Sequence, residues 1–180
     1  MKSYLLGIDI GTSACKVAVF DRNGKVLAAA SGDYPVYYPK EGWAEQNPEE
    51  WWSAVCSAVK KAVRKAGIAP DEIAGIGIDG QSWSAIAMDK EGNVLTDTPI
   101  WMDTRAQSIC DRLNEEIGAD KIFEVSGNSL QPSYTTAKIL WYKENMPEVY
   151  EKIDKILQSN SFIAYKLTGV MSQDVSQGYG

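Results

Sequence analysis

Asp9, Gly11, Thr12 and Ser13 put a carboxylate, a glycine and two hydroxyls within five residues, and Lys16 follows shortly after. An apolar run from Tyr4 delivers Asp9 to the end of a strand. Gly11 lets the backbone turn tightly and approach an anion with no Cβ in the way. The hydroxyls and amide groups of Thr12 and Ser13 extend the same concavity, a geometry suited to phosphate oxygens. Asp9 is hard-oxygen chemistry for Mg²⁺, reached through water, and Lys16 adds positive charge. The same residues also suit a plain hairpin turn tipped with an acid and hydroxyls, and spacing alone leaves both readings open.

Other phosphate motifs do not fit. GxxxxGK[ST] does not occur. Gly75-Ile76-Gly77-Ile78-Asp79-Gly80 matches GxGxxG, but its glycines lie along a strand. Gln81-Ser82-Trp83 then leads toward another strand and not a helix, which argues against dinucleotide binding. The chain has no histidine, which removes Ser-His-Asp triads, Cys-His dyads and histidine metal sites. Cys15, Cys56 and Cys110 are widely spaced and form no CxxC pair, so they read as reduced, partly buried thiols.

A net charge of −6, from 18 basic and 24 acidic residues, argues against a nucleic-acid partner. No apolar run has the length of a membrane span, and the N-terminus lacks the pattern of a secretory leader. A cytoplasmic location is the expectation. The 180 residues, 44% of them hydrophobic, are enough for one domain with a core.

The elements that must carry these residues follow from local signals. Tyr4–Asp9, Val17–Phe20 and Lys25–Ala30, with a turn at Asp21-Arg22-Asn23-Gly24, predict a three-stranded antiparallel meander. Asn47 as N-cap, Pro48 at the first position and Glu49 and Glu50 behind it start a helix. Apolar residues at helical spacing continue it to Lys65, and Gly67 stops it. Further strands are predicted over Ile73–Ile78, Ser84–Met88, Asn93–Leu95 and Pro99–Met102. Helices are predicted over Thr104–Ile117, Thr135–Asn145, Pro147–Lys152 and Ser159–Leu167, with an apolar step at Ile156-Leu157. The order is mixed α/β.

Ile8-Asp9-Ile10-Gly11-Thr12-Ser13 with Lys16 resembles the first phosphate motif of the actin-like ATPase superfamily. Gly42-Trp43-Ala44-Glu45-Gln46-Asn47-Pro48 with Trp51-Trp52, the Gly75-to-Gln81 stretch and Trp101-Met102-Asp103-Thr104-Arg105 resemble segments of the FGGY carbohydrate kinases. So do Gly127-Asn128, Pro132, Lys138-Ile139-Leu140-Trp141 and Asp174-Val175-Ser176. Among members, xylulokinases look most similar.

The resemblance implies an actin-like (ribonuclease H-like) α/β domain, a mixed sheet flanked by helices. It implies ATP and Mg²⁺ as cofactors and a sugar or polyol as substrate, such as a ketopentose. Asp9, Gly11, Thr12, Ser13 and Lys16 would serve the nucleotide phosphates, with Asp9 toward the metal. Gln81, Ser82 and Trp83 would line the sugar pocket. Ser82-Trp83 departs from the Gln-Met-His of xylulose-kinase-like members and the Gln-Arg-Glu of glycerol-kinase-like ones, which leaves the sugar open. An indole there can stack on a sugar face. Asp103 can accept sugar hydroxyls with Arg105 orienting it, or it simply starts the following helix and pairs with Arg105, and both readings stay open; Pro132-Ser133-Tyr134 is a further pocket-lip candidate. Glu45 and Gln46 read as structural residues near the helix start.

The resemblance also implies that residues 1–180 are an incomplete N-terminal domain. The general base and a second, nucleotide-binding domain are expected beyond Gly180, and such a piece is expected to be inactive alone. A homodimer of the full-length protein is left open. The alternative reading is a stand-alone, non-catalytic sugar- or phosphate-binding domain.

Overall fold

The computed structural model describes residues 3–178. Three strands, β1 (Tyr4–Ile10), β2 (Ala14–Phe20) and β3 (Val26–Asp33), form the expected antiparallel meander. The short β4 (Glu45–Gln46) leads into helix α1 (Pro48–Ala66), and β5 (Ile73–Gly80) then returns parallel to β1. The sheet order is β3-β2-β1-β5. The β2–β3 turn is made by Asp21, whose carboxylate accepts the amides of Asn23 (2.8 Å) and Lys25 (2.9 Å). Gly24 takes the positive φ of 79° that the turn needs.

Alternation divides the sheet into two faces. Leu6, Ile8, Ile10, Cys15, Val17 and Val19 are buried in a core shared with Trp51, Val55, Ala58 and Ala62 of α1. Helix α1 has the cap the sequence predicts: the Asn47 carboxamide accepts the Glu49 amide, Pro48 follows, and Gly67 closes the helix at φ 66°. Trp51 is the largest fully buried side chain, and truncation to Ala would cost about 3–5 kcal/mol. The opposite face carries Gly7, Asp9, Lys16, Ala18 and Gly77 and lies open as a concavity of about 1310 Å³.

The second half adds short strands and helices around a smaller core. After β6 (Ile86–Met88) and β7 (Thr98–Pro99) come α2 (Gln107–Leu113), α3 (Ala119–Ser126), α4 (Thr135–Asn145) and α5 (Pro147–Tyr150). Strand β8 (Lys155–Leu157) and α6 (Ser159–Thr168) follow, and a 3-10 turn over Val175–Gly178 ends the described residues. β4 pairs with β7 and β6 with β8, both antiparallel. Ala85, Ala87, Ala106, Ile109, Cys110, Ala137, Trp141 and Tyr142 form the second core.

Four expectations change here. The strand at Pro99–Met102 is only Thr98–Pro99, because the Asp103 amide donates to the Ile100 carbonyl and folds Trp101-Met102 into a turn. The helix predicted from Thr104 begins at Gln107, since the Asp103 carboxylate captures the Arg105 amide (3.0 Å) and holds that stretch out of helical geometry. Past Leu113 the chain runs through a wider π-type turn over Asn114–Gly118 into α3, which the sequence reading ended too early. Phe123 and Val125 of α3 are exposed, so no buried stripe announced it. Asn93–Leu95 contributes only an isolated bridge between Val94 and Met88, and the Ile156-Leu157 step is strand β8.

Candidate functional site

Gly11, Thr12 and Ser13 join β1 to β2, and each of their carbonyls has a donor from outside the turn or across it. The Tyr34 hydroxyl donates to the Gly11 carbonyl (2.6 Å), Gln46 Nε2 to the Thr12 carbonyl (2.8 Å) and the Tyr34 amide to the Ser13 carbonyl (3.2 Å). The Gly11 amide closes on the Ala14 carbonyl (3.1 Å). A Cβ on Gly11 would lie 3.0 Å from that same oxygen, which explains the glycine. Among the described residues the amides of Thr12 and Ser13 make no hydrogen bond. A turn whose acceptors are occupied and whose donors are free can receive an anion. Burial pushes the Tyr34 phenol far above its ordinary pKa, so it stays a donor.

Asp9 is the penultimate residue of β1. It lies opposite Lys16 of β2 and, in parallel register, beside Asp79 of β5. Lys16 Nζ is 3.6 Å from Asp9 Oδ2, and both side chains are well exposed. Such a pair contributes little stability and leaves both groups available. The Asp79 carboxylate accepts its neighbour Gly80's amide (2.8 Å). Among the described residues no group of three or more His, Cys, Asp or Glu could hold a metal alone. A cation at Asp9 would draw its remaining ligands from water and phosphate oxygens, the usual habit of Mg²⁺. The open concavity is lined by Asp9, Lys16 and Asp79 but not by Gln81, Ser82 or Trp83.

Gln81 extends β5 toward the turn, its amide donating to the Ile10 carbonyl (2.8 Å) and its carbonyl accepting from Ser159 Oγ (2.7 Å). Its side-chain Nε2 donates to Gln46 Oε1 (2.8 Å). Gln46 is fully buried, so a two-amide relay runs from Gln81 to the Thr12 carbonyl. Gln81 Oε1 is buried and takes no donor among the described residues, which leaves it an unused acceptor. Ser82 is half-buried. Trp83 adopts φ 63°, a left-handed conformation that costs an L-residue roughly 1–2 kcal/mol. Its ring packs against Tyr134 with centroids 4.9 Å apart.

Asp103 takes the structural alternative, a pair with Arg105, and not the ligand role. The residue is 0% exposed, and its carboxylate accepts from the Ala44 amide (2.7 Å), the Arg105 amide, and Arg105 Nε (2.9 Å) and NH2 (2.8 Å). No oxygen is left for a ligand hydroxyl. The Trp101 loop is held in shape by this buried ion pair. Arg105 also pairs with Glu45 (2.7 Å) and lies over the Trp43 ring, 3.8 Å from its centroid. Burial opposes its charge, but Asp103 and Glu45 outweigh it and raise its pKa above the ordinary value.

In place of Asp103, the same segment offers Trp101, a residue the sequence reading quoted but gave no role. Its Nε1 donates to the Thr12 hydroxyl (3.0 Å), and its ring is 42% exposed. Gln46 was read as structural but without these partners, and Tyr34, Lys138 and Gln158 were missed as organisers. Gln46 and Lys138 lay inside quoted segments, whereas nothing local marks Tyr34 or Gln158.

Comparison with known proteins follows this geometry. Residues 4–178 match the FGGY family of carbohydrate kinases, N-terminal domain. The chain is 34% identical over 177 residues to a xylulose kinase of Bacillus subtilis, covering 98% of this chain and 35% of the relative. It is 32% identical over 180 residues to a glycerol kinase of Thermococcus gammatolerans, covering 98% and 36%. The crystal structure of gluconate kinase from Lactobacillus acidophilus matches with a TM-score of 0.87 at 31% identity, over 93% of this chain and 34% of that one. The chain thus spans about a third of the length of the curated relatives it matches.

Proposed function

Because this chain belongs to the FGGY family of carbohydrate kinases and has their actin-like ATPase fold, we propose that it is the phosphate- and acceptor-binding part of a protein that phosphorylates a sugar or polyol hydroxyl with ATP–Mg²⁺. The observation that carries this reading is the wiring around Thr12. Its carbonyl is tied through Gln46 to Gln81, and its hydroxyl to Trp101, so the phosphate turn and the acceptor segments form one unit.

ATP with Mg²⁺ supplies the phosphoryl group and neutralises its charge. The free amides of Thr12 and Ser13 bind phosphate oxygens, and the tightness of Gly11 allows the approach. Asp9 orients the hydrated cation, while Lys16 adds positive charge at the rim. Phosphoryl transfer depends mainly on such positioning and electrostatics. Gln81 Oε1 accepts an acceptor hydroxyl, Ser82 lies beside it, and the Trp83 and Trp101 rings meet the apolar faces of the sugar. Asp103 acts at one remove, by holding the Trp101 loop. The general base and the adenosine-binding domain belong to the chain beyond Gly180, and residues 1–180 alone do not turn over.

The relatives' names include xylulose, glycerol and gluconate kinases. The test is ADP release by the full-length protein with each of these acceptors and with further pentuloses and hexuloses. Acceptor-dependent release supports the reading, and release that no sugar or polyol stimulates overturns it.

A further inference from the structure

Two buried polar side chains hold Trp83 from opposite sides. Its amide donates to Gln158 Oε1 (2.8 Å), and its carbonyl accepts from Lys138 Nζ (2.7 Å). Gln158 immediately precedes α6 and Lys138 lies on α4. Both are almost wholly buried. They meet at the one non-glycine among the described residues with a positive φ. A strained backbone persists only where its surroundings over-determine it, and such residues cluster at functional sites.

Lys138 reaches further. The same ammonium donates to the carbonyls of Ile100 (2.7 Å) and Ser133 (2.6 Å). Ile100 precedes Trp101, and Ser133 precedes Tyr134. One cation therefore fixes the backbone beside three aromatic side chains: Trp83, Trp101 and Tyr134. A protonated lysine has three N–H donors, and all three are committed to carbonyls. Burying an ammonium is costly, and a methionine would fill the space without that cost. Lysine fits here because one ammonium reaches three convergent carbonyls from three loops at once.

We propose that Lys138, together with Gln158, is a positioning residue for the acceptor side of the site, setting the Trp83 ring against Tyr134 and the Trp101 loop against Thr12. Neither residue touches the reacting atoms; both act through the aromatic wall. The acceptor role rests on the kinase reading above, whereas the clamp itself is independent of it.

The test uses the full-length protein with Gln158→Met, which removes one side of the clamp, and Lys138→Met, which removes the other. Because Lys138→Met removes a donor from each of three carbonyls and can fail to fold, Gln158→Met is the deciding variant. Indole N–H resonances, assigned through Trp83→Phe and Trp101→Phe, are recorded first without any ligand. A shift of the Trp83 resonance in folded Gln158→Met is the expected result; an unmoved resonance overturns the clamp whatever the protein phosphorylates. Steady-state kinetics follow, with D-xylulose, glycerol or gluconate, whichever the wild type accepts. Acceptor KM is expected to rise about tenfold or more, since small misplacements of binding groups are costly. The KM for ATP should stay within about threefold. Equal acceptor KM in wild type and a variant whose Trp83 resonance has shifted overturns the acceptor role. A wild type that accepts no sugar or polyol sinks the kinase reading, and with it the acceptor role, while the resonances still decide the clamp.

Discussion

The Trp101 indole nitrogen lies 3.0 Å from the hydroxyl of Thr12, a residue 89 positions earlier in the chain. That contact joins the loop held by the Asp103–Arg105 ion pair to the turn between β1 and β2. Under the proposed function it is the shortest link between the acceptor side and the phosphate side. Trp101→Phe keeps the ring and deletes the donor. A neutral hydrogen bond contributes about 0.5–1.5 kcal/mol, so kcat/KM should fall roughly three- to tenfold in the full-length protein. Steady-state kinetics with the accepted sugar check this. Unchanged kcat/KM would mean the bond is incidental to turnover.

Asp9→Ala should lower kcat by about 10²–10³ while acceptor KM moves only a few-fold. The carboxylate is exposed and unsaturated, with Lys16 its nearest cation at 3.6 Å, so its removal disturbs the fold little and the charge arrangement much. The measurement is initial-rate kinetics at saturating ATP and Mg²⁺. Wild-type kcat in the variant would reject the metal-orienting role.

Burial is the main reason the Lys138 ammonium titrates at about 7, below the ordinary 10.5; the charge of Asp103 opposes that fall, and the charge of Arg105 adds to it. In the unfolded chain the lysine keeps its proton up to about 10.4. Between these values the unfolded state binds more protons, so this group makes stability rise with pH across the window and fall again as pH drops through 7. The Tm of the wild type should therefore climb relative to that of Lys138→Met between pH 7 and 9. Above 9 the window is complicated by Cys110, whose thiol burial pushes up to about 11. Parallel Tm curves for the two proteins from pH 7 to 9 would show that Lys138 does not lose its proton there.

The 180-residue chain should show no acceptor-dependent ADP release. Under the proposed function the piece lacks the general base, whose loss alone costs about 10²–10⁴ in rate, and lacks the second domain that would close the cleft. A coupled ADP assay of the piece beside the full-length protein checks this. Turnover within about tenfold of the full-length rate would place the base inside residues 1–180.

Much of the fold was legible because its signals are local. The meander follows from alternation around the Asp21–Gly24 turn, and α1 from Asn47-Pro48 and Gly67. α4 has the predicted bounds, and α6 differs by one residue. What escaped depends on partners far along the chain. β8 is strand-like only because β6 is beside it. Asp103 has the residue type of a ligand, but its burial is decided by Ala44 and Glu45, close in space and distant in sequence. Trp101 was passed over because the acid two residues on looked like the chemistry. The residue types of the Gly11–Ser13 turn were enough to propose a phosphate site, whereas its three held carbonyls were not legible.

The parallel pairing of β1 with β5 has a consequence in time. β1 and β2 are joined by Gly11-Thr12-Ser13 alone, while β1 and β5 are separated by three strands, β2, β3 and β4, and by α1. Loop-closure entropy makes the long connection the slower to close. The meander, and with it the Gly11–Ser13 turn, can form early, whereas the Gln81–Gln46–Thr12 relay has to wait for β5. By that order the bond between Gln46 and Gln81 is the contact that ties the early turn to the later strand.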